Sequence, residues 1–134
     1  MLSMRNFYAA AVIVTMSMVP MGIATAQTMS SGGNVTAGKT VYLQQCSDCH
    51  SNQPHVDRFG PTLAGVYGRV SGTAPLHHYS AAMKAAHIVW DADTLDDFLE
   101  NPRQNIHGTT MPYSGLASAS ARANVIAYLK SISP

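Results

Sequence analysis

Two thiols and an imidazole fall within five residues, Cys46-Ser47-Asp48-Cys49-His50, and these are the only cysteines in a chain of 134 residues. Such a cluster can serve as a disulfide, a redox-active dithiol, a metal site or a covalent anchor. A thioredoxin-type dithiol sits beside a strand in a βαβ unit, and no window here alternates apolar and polar residues long enough to make one. A zinc site needs four ligands, yet His50 directly follows Cys49 and no second Cys or His pair at conventional spacing completes the set. What remains is C-x-x-C-H, the pattern of covalent haem attachment, with a disulfide as the plain alternative in an exported protein. Two intervening residues let both sulfurs bond the vinyl positions along one porphyrin edge, and the next side chain can turn beneath the iron.

A haem held through Cys46, Cys49 and His50 still has one axial position to fill. Past residue 26 the chain offers Met29, Met83 and Met111. A methionine taken alone is usually core filler. Met111, however, lies in polar loop sequence, Gly108-Thr109-Thr110-Met111-Pro112-Tyr113-Ser114-Gly115, where a flexible thioether could fold over the opposite face of the macrocycle.

The elements that must position these groups read as helices joined by loops, so the expected class is all-α. Asn34 can cap a first helix that runs into Cys46, with Val35, Gly38, Val41 and Tyr42 on one side. Glycine inside a helix costs about 1 kcal/mol relative to alanine, which asks for a reason such as close approach of another helix. From Ser51 to Tyr79, glycines and prolines recur every few positions and predict a long looped region. Ser80 can cap a short helix over Ala81 to Ala86, and Asp93 a second from Thr94 to Glu100, stopped by Asn101 before Pro102. A further loop is expected from Arg103 to Leu116, then a last helix from about Ser118 to Ile132 with Val125, Tyr128, Leu129 and Ile132 as its apolar stripe.

Met1 to Arg5 gives a short positive start, Tyr8 to Val19 an apolar run and Ala24-Thr25-Ala26 an A-x-A cleavage site, so residues 1–26 read as a secretory signal. A retained membrane anchor is the alternative. Residues 27–134 then form one domain. Loss of Arg5 leaves seven Lys and Arg against seven Asp and Glu. A formally neutral chain lacks the basic face that nucleic acid demands, which excludes that partner class. The acids from Asp91 to Glu100 read as a solvated helix face. Five histidines besides His50, at 55, 77, 78, 87 and 107, read as solvent-exposed, and the adjacent His77 and His78 do not suggest a shared metal.

Taken in order, Gly38-x-x-x-Tyr42, the C-x-x-C-H cluster, Gly60-Pro61-x-Leu63, Gly68-Arg69, Tyr79, Trp90, "TLDDFLENP", "GTTMPYSG" and "VIAYLK" make the chain from about Asn34 to Ile132 resemble the class I cytochromes c. The resemblance implies a cytochrome c fold of about four to five helices with long loops wrapped around one covalent haem. It implies that Gly38 and Tyr42 pack on Val125, Tyr128 and Leu129 where the first and last helices cross. It implies that the Pro61 carbonyl accepts the Nδ1 proton of His50, that Arg69, Tyr79 and Trp90 serve a haem propionate, and that Leu63 and Tyr113 pack on the haem. Thr109 is a candidate for a hydrogen bond in the pocket. Phe98 stands where many relatives carry tyrosine, and Met83 where asparagine is common, so the pocket is less polar than theirs. The lysine ring of mitochondrial members is reduced to Lys39, Lys84 and Lys130.

The expected function is electron transfer by a monomeric periplasmic protein with one low-spin haem, ligated by His50 and Met111, that docks transiently on redox partners. With both axial positions filled no small-molecule substrate reaches the iron, and membrane contact arises only if the N-terminal segment stays uncleaved. Two alternatives stand beside it. One is a peroxidase-like haem enzyme with a displaceable Met111 and His107 as acid-base group; the other is a tethered redox subunit of a dehydrogenase or oxidase. A cavity beside Cys46 and Cys49 is expected in either case.

Overall fold

The computed structural model describes residues 32–134; the expected export signal and its cut near Ala26 lie outside the described residues. Five helices appear in it, α1 (Val35–Gln45), α2 (Ala81–Ala85), α3 (Ala92–Glu100), α4 (Pro102–Asn105) and α5 (Ala119–Ser131). The extended structure among the described residues is one isolated bridge between Val70 and Val89, so the all-α expectation holds.

The sequence of α1 determines where the cysteine cluster emerges. Asn34 caps the helix by accepting a hydrogen bond from the Ala37 N–H at 2.8 Å, while its own N–H donates to the Asn124 side chain of α5 at 2.7 Å. One asparagine therefore starts α1 and ties it to α5. A little over one turn farther on, Gly38 is buried against α5, where an added Cβ would run into the Asn124 carbonyl and come within 2.9 Å of the Tyr128 Cβ. That close crossing is the reason for a helical glycine. Tyr42, one turn below, packs its ring 5.4 Å from that of Tyr128. Around the crossing Tyr42, Val125, Tyr128 and Leu129 join Leu95, Phe98 and Leu99 of α3 in one buried cluster. Each such side chain contributes roughly 1.5–3 kcal/mol on full burial.

Two expected boundaries need correction. Asp91, not Asp93, caps α3: its carboxylate accepts from the Thr94 N–H at 2.9 Å, and the Thr94 hydroxyl accepts from the Asp91 N–H at 2.9 Å. This reciprocal capping box leaves Asp93 in the first turn, beside the helix dipole. The expected loop from Arg103 to Leu116 opens instead with α4, because Asn101 both ends α3 and caps the next turn by accepting from Gln104 N–H, with Pro102 at the first helical position. The acids of α3 are also more than a solvated face. Asp96 and Glu100 pair with Arg122 of α5 at 2.8 and 3.3 Å.

Between α1 and α2 the chain is irregular but well pinned. Gly68 N–H donates to the Trp90 carbonyl at 2.7 Å, Trp90 N–H to Arg69 at 2.9 Å and Ser71 N–H to Ile88 at 2.7 Å. These bonds fix Trp90 at the entrance to α3. The tight crossing yields a direct test. Gly38→Ala should destabilise the haem-loaded protein by about 3 kcal/mol, because the clash is with backbone that cannot swing aside. Denaturant midpoints measure it, and a change within the scatter of ordinary surface substitutions contradicts the close approach.

Candidate functional site

Cys46 closes α1, its N–H bonding the Tyr42 carbonyl at 2.9 Å, and the chain then turns so that His50 N–H reaches the Cys46 carbonyl at 2.8 Å. The turn is held from both sides. The Tyr42 hydroxyl donates to the His50 carbonyl at 2.7 Å, and Gly60 N–H donates to the Cys49 carbonyl at 2.8 Å. Gly60 lies flat against the His50 ring, where a Cβ would collide with Cε1 and approach Nδ1 within 2.7 Å. Next in sequence, the Pro61 carbonyl lies 2.8 Å from His50 Nδ1. A carbonyl only accepts, so Nδ1 carries the proton and Nε2 keeps its lone pair free. Burial pushes the imidazole below its usual range, against the pull of the Pro61 bond, and keeps it neutral.

Both thiols are free. Burial, helped by Cys49, pushes Cys46 up to about 11, so it carries no thiolate at neutral pH. Cys46 is therefore not poised as the attacking anion of a dithiol, and among the described residues no group of three or more His, Cys, Asp and Glu could hold a metal ion.

A cavity of about 360 Å³ opens over these groups, lined mainly by apolar side chains. It brings together every site residue that the sequence singled out. Cys46, Cys49, His50 and Pro61 form one part of its wall, and Met111 with Tyr113 come from the loop before α5. Leu63, Arg69, Tyr79 and Trp90 also line it, as do Phe98, Met83 and Thr109. Trp90 is buried and its ring lies 5.0 Å from that of Phe98, so these two residues join the cavity wall to the core. Arg69 donates to the carbonyls of Thr62 at 2.9 Å and Ala64 at 3.3 Å, and burial lowers its affinity for its proton. Burial likewise raises Tyr79 and Tyr113, so both hydroxyls stay protonated as donors. The Tyr113 hydroxyl reaches across to the Gln45 side chain at 3.3 Å and links the methionine loop to the end of α1.

Sequence reasoning missed three residues here. His77 is not solvent-exposed like His55, His78, His87 and His107; it is half-buried and lines the cavity. Its pairing with Asp57 runs between two loops, so no local pattern could mark it. Phe59, 89% exposed, stands at the cavity mouth, a feature that a looped sequence hides. Arg122, read as one of several scattered cations, is buried; beyond its ion pairs it donates to the carbonyls of Leu116 at 2.9 Å and Ala117 at 3.1 Å. It thereby anchors the far end of the methionine loop. His107 is exposed and does not line the cavity, so the acid-base group of the enzyme alternative is not in place.

Comparison with known proteins agrees with this geometry. The family model described as Cytochrome c matches residues 35–133. The chain belongs to the cytochrome c family. It is 43% identical over 100 residues to cytochrome c of Euglena viridis, covering 75% of this chain and 98% of that protein. Cytochrome c 2.1 of Caenorhabditis briggsae is 44% identical over 98 residues, covering 73% of this chain and 88% of that one. Among solved structures, cytochrome cH from Methylobacterium extorquens superposes with a TM-score of 0.69 at 32% identity, over 74% of this chain and 99% of that one. As a cytochrome c the protein is an electron carrier rather than an enzyme, with covalent haem c attached through the C-x-x-C-H cysteines Cys46 and Cys49. The residues fit that group: two thiols one helical turn apart, a neutral imidazole with a free Nε2, a soft thioether and an apolar wall surround one cavity. Redox proteins that dock transiently are its partners.

The contact between Gly60 and His50 can be tested on the purified haem protein. Gly60→Ala should push the imidazole off its Pro61 bond, lowering haem content per polypeptide several-fold and broadening the ferric spectrum. Unchanged haem content and spectrum would contradict the packing described.

Proposed function

We propose that this cytochrome c is exported to the periplasm, is cut near Ala26 and carries single electrons on a low-spin haem whose axial ligands are His50 and Met111. The observation that carries the reading is the meeting of both side chains in one apolar cavity, with the Pro61 carbonyl holding the His50 tautomer that presents Nε2. When bound, the haem iron supplies a one-electron couple between ferric and ferrous states. The residues supply the rest. A neutral nitrogen and a thioether add no charge, which favours the lower oxidation state. Leu63, Phe98, Leu99 and Leu129 exclude water from the wall, so little solvent reorganises. Phe98 and Met83 bring neither a hydroxyl nor an amide to the wall, which keeps it apolar.

Arg69, Tyr79 and Trp90 are the donors proposed for a haem propionate, which needs compensation when it leaves water. Leu63 and Tyr113 are proposed to pack on the ring. Docking is expected to be weakly salt-dependent, because Lys39, Lys84 and Lys130 are exposed on three different elements and form no ring around the cavity mouth. Among the described residues no helix is long and apolar enough to cross a membrane.

The ferric spectrum tests the ligand assignment. The native protein should show the sulfur-to-iron charge-transfer band and bind cyanide or carbon monoxide slowly. Met111→Ala should lose the band and bind either ligand at once; a band that survives this substitution refutes the assignment. Intact mass tests export: the mature protein should begin at Gln27 and carry one haem, whereas a full-length mass refutes cleavage.

A further inference from the structure

Asp57 presents an unresolved polar group next to the cavity. Its Oδ1 accepts from the Thr62 N–H at 2.9 Å, but Oδ2 is buried and has no hydrogen-bond partner, alone in this among the described side chains. Facing it is His77, whose Nδ1 lies 3.8 Å from Oδ2. That separation is within ion-pair range and beyond a hydrogen bond. The two side chains are 21% and 17% exposed, so each touches water only at an edge. The imidazole stands edge-on to Tyr79, with centroids 4.8 Å apart at 81°, and lines the cavity together with Arg69 and Tyr79.

A buried carboxylate oxygen with no donor is a rare and costly arrangement. A side-chain shift of about 1 Å would bring Nδ1 to ordinary hydrogen-bond distance, and a charged imidazole would make that bond strongest. Arg69 does not serve this purpose, since its guanidinium is directed to the carbonyls of Thr62 and Ala64. The charged and titratable groups facing the imidazole are thus Asp57, which favours its protonation, Arg69, which opposes it, Tyr79, the His50 imidazole, which it influences through charge, and, with haem bound, the propionate proposed for Arg69 and Tyr79, which would also favour protonation. The adjacent His78 is exposed.

We propose that Asp57 and His77 form a proton-binding pair linked to electron transfer, in which reduction favours the imidazolium bonded to Asp57 Oδ2 and oxidation releases its proton. The inference rests on the electron-carrier reading above. The oxidised state places one more positive charge inside the cavity, which repels an imidazolium on its wall; an added electron removes that repulsion. On reduction the electron comes from the redox partner and the proton from solvent. The bond formed is one N–H on His77, and on oxidation that bond breaks and the proton returns to water. His77 and Asp57 are positioning residues that act on the redox balance through charge.

The test is the midpoint potential of the haem-loaded protein followed across neutral pH, with the sulfur-to-iron band recorded in the same samples. At a fixed applied potential the ratio of reduced to oxidised native protein should fall as pH rises, on the order of tenfold between the protonated and neutral plateaus. His77→Gln should flatten that dependence to less than about twofold, and Asp57→Asn should move it to lower pH. Proton NMR of the His77 ring in native protein gives a readout independent of any variant's folding: its titration should move to higher pH on reduction. A native potential that is constant across the range, a His77→Gln protein that keeps the full dependence, or a His77 ring titration that ignores the oxidation state overturns the proposal. Loss of the band in native protein strikes the Met111 assignment instead.

Discussion

The arrangement of this molecule depends on one backbone-to-backbone approach. Gly38 of α1 lies against the Asn124 carbonyl of α5 with no room for a Cβ, and the Asn34 cap of the same helix bonds the Asn124 side chain. With both helices locked at that point, the direction in which α1 ends is fixed, and so is the place where Cys46 starts the haem-binding turn. The other face of α5 receives α3 through Arg122 and its acidic partners. The cavity is the space left between these locked helices and the loops drawn over them.

Within that frame the loops do the finer work through a short sequence of hydrogen bonds. Tyr42 holds the His50 carbonyl, Gly60 holds the Cys49 carbonyl, and Pro61 receives the imidazole N–H. A long irregular stretch is entropically costly, and here its order comes from contacts to α1 on one side and to Trp90 on the other. A chemically sensitive group is oriented by backbone carbonyls, which cannot change protonation state.

Much of this was legible in the sequence, because the informative residues are local or of unusual type. The cysteine cluster, the helical Gly38 and the loop-borne Met111 each break an ordinary expectation and so mark a position of constraint. Helix ends were legible where a single capping residue decides, as at Asn34 and Ser80. They misled at the start of α3, where two aspartates compete and the capping box with Thr94 selects the earlier one. Arg122 and His77 were not legible. Their partners lie 26 and 20 residues away in sequence, on other elements, and nothing in the local composition distinguishes a buried cation or imidazole from an exposed one.

The methionine loop is secured at its two ends. Thr109 N–H bonds the Ile106 carbonyl at 3.1 Å, Leu116 N–H bonds Leu99 at 2.8 Å, and Arg122 grips the carbonyls of Leu116 and Ala117. Between those clamps, the bonds that Met111 N–H donates to the Thr109 hydroxyl and the Tyr113 hydroxyl donates to the Gln45 side chain are longer, at 3.4 and 3.3 Å. Such a span behaves as a short bridge on two rigid piers. Residue 111 can be displaced by bending the deck alone, so a disturbance there need not spread into the helices, and the deck returns to one resting place because its piers have not moved.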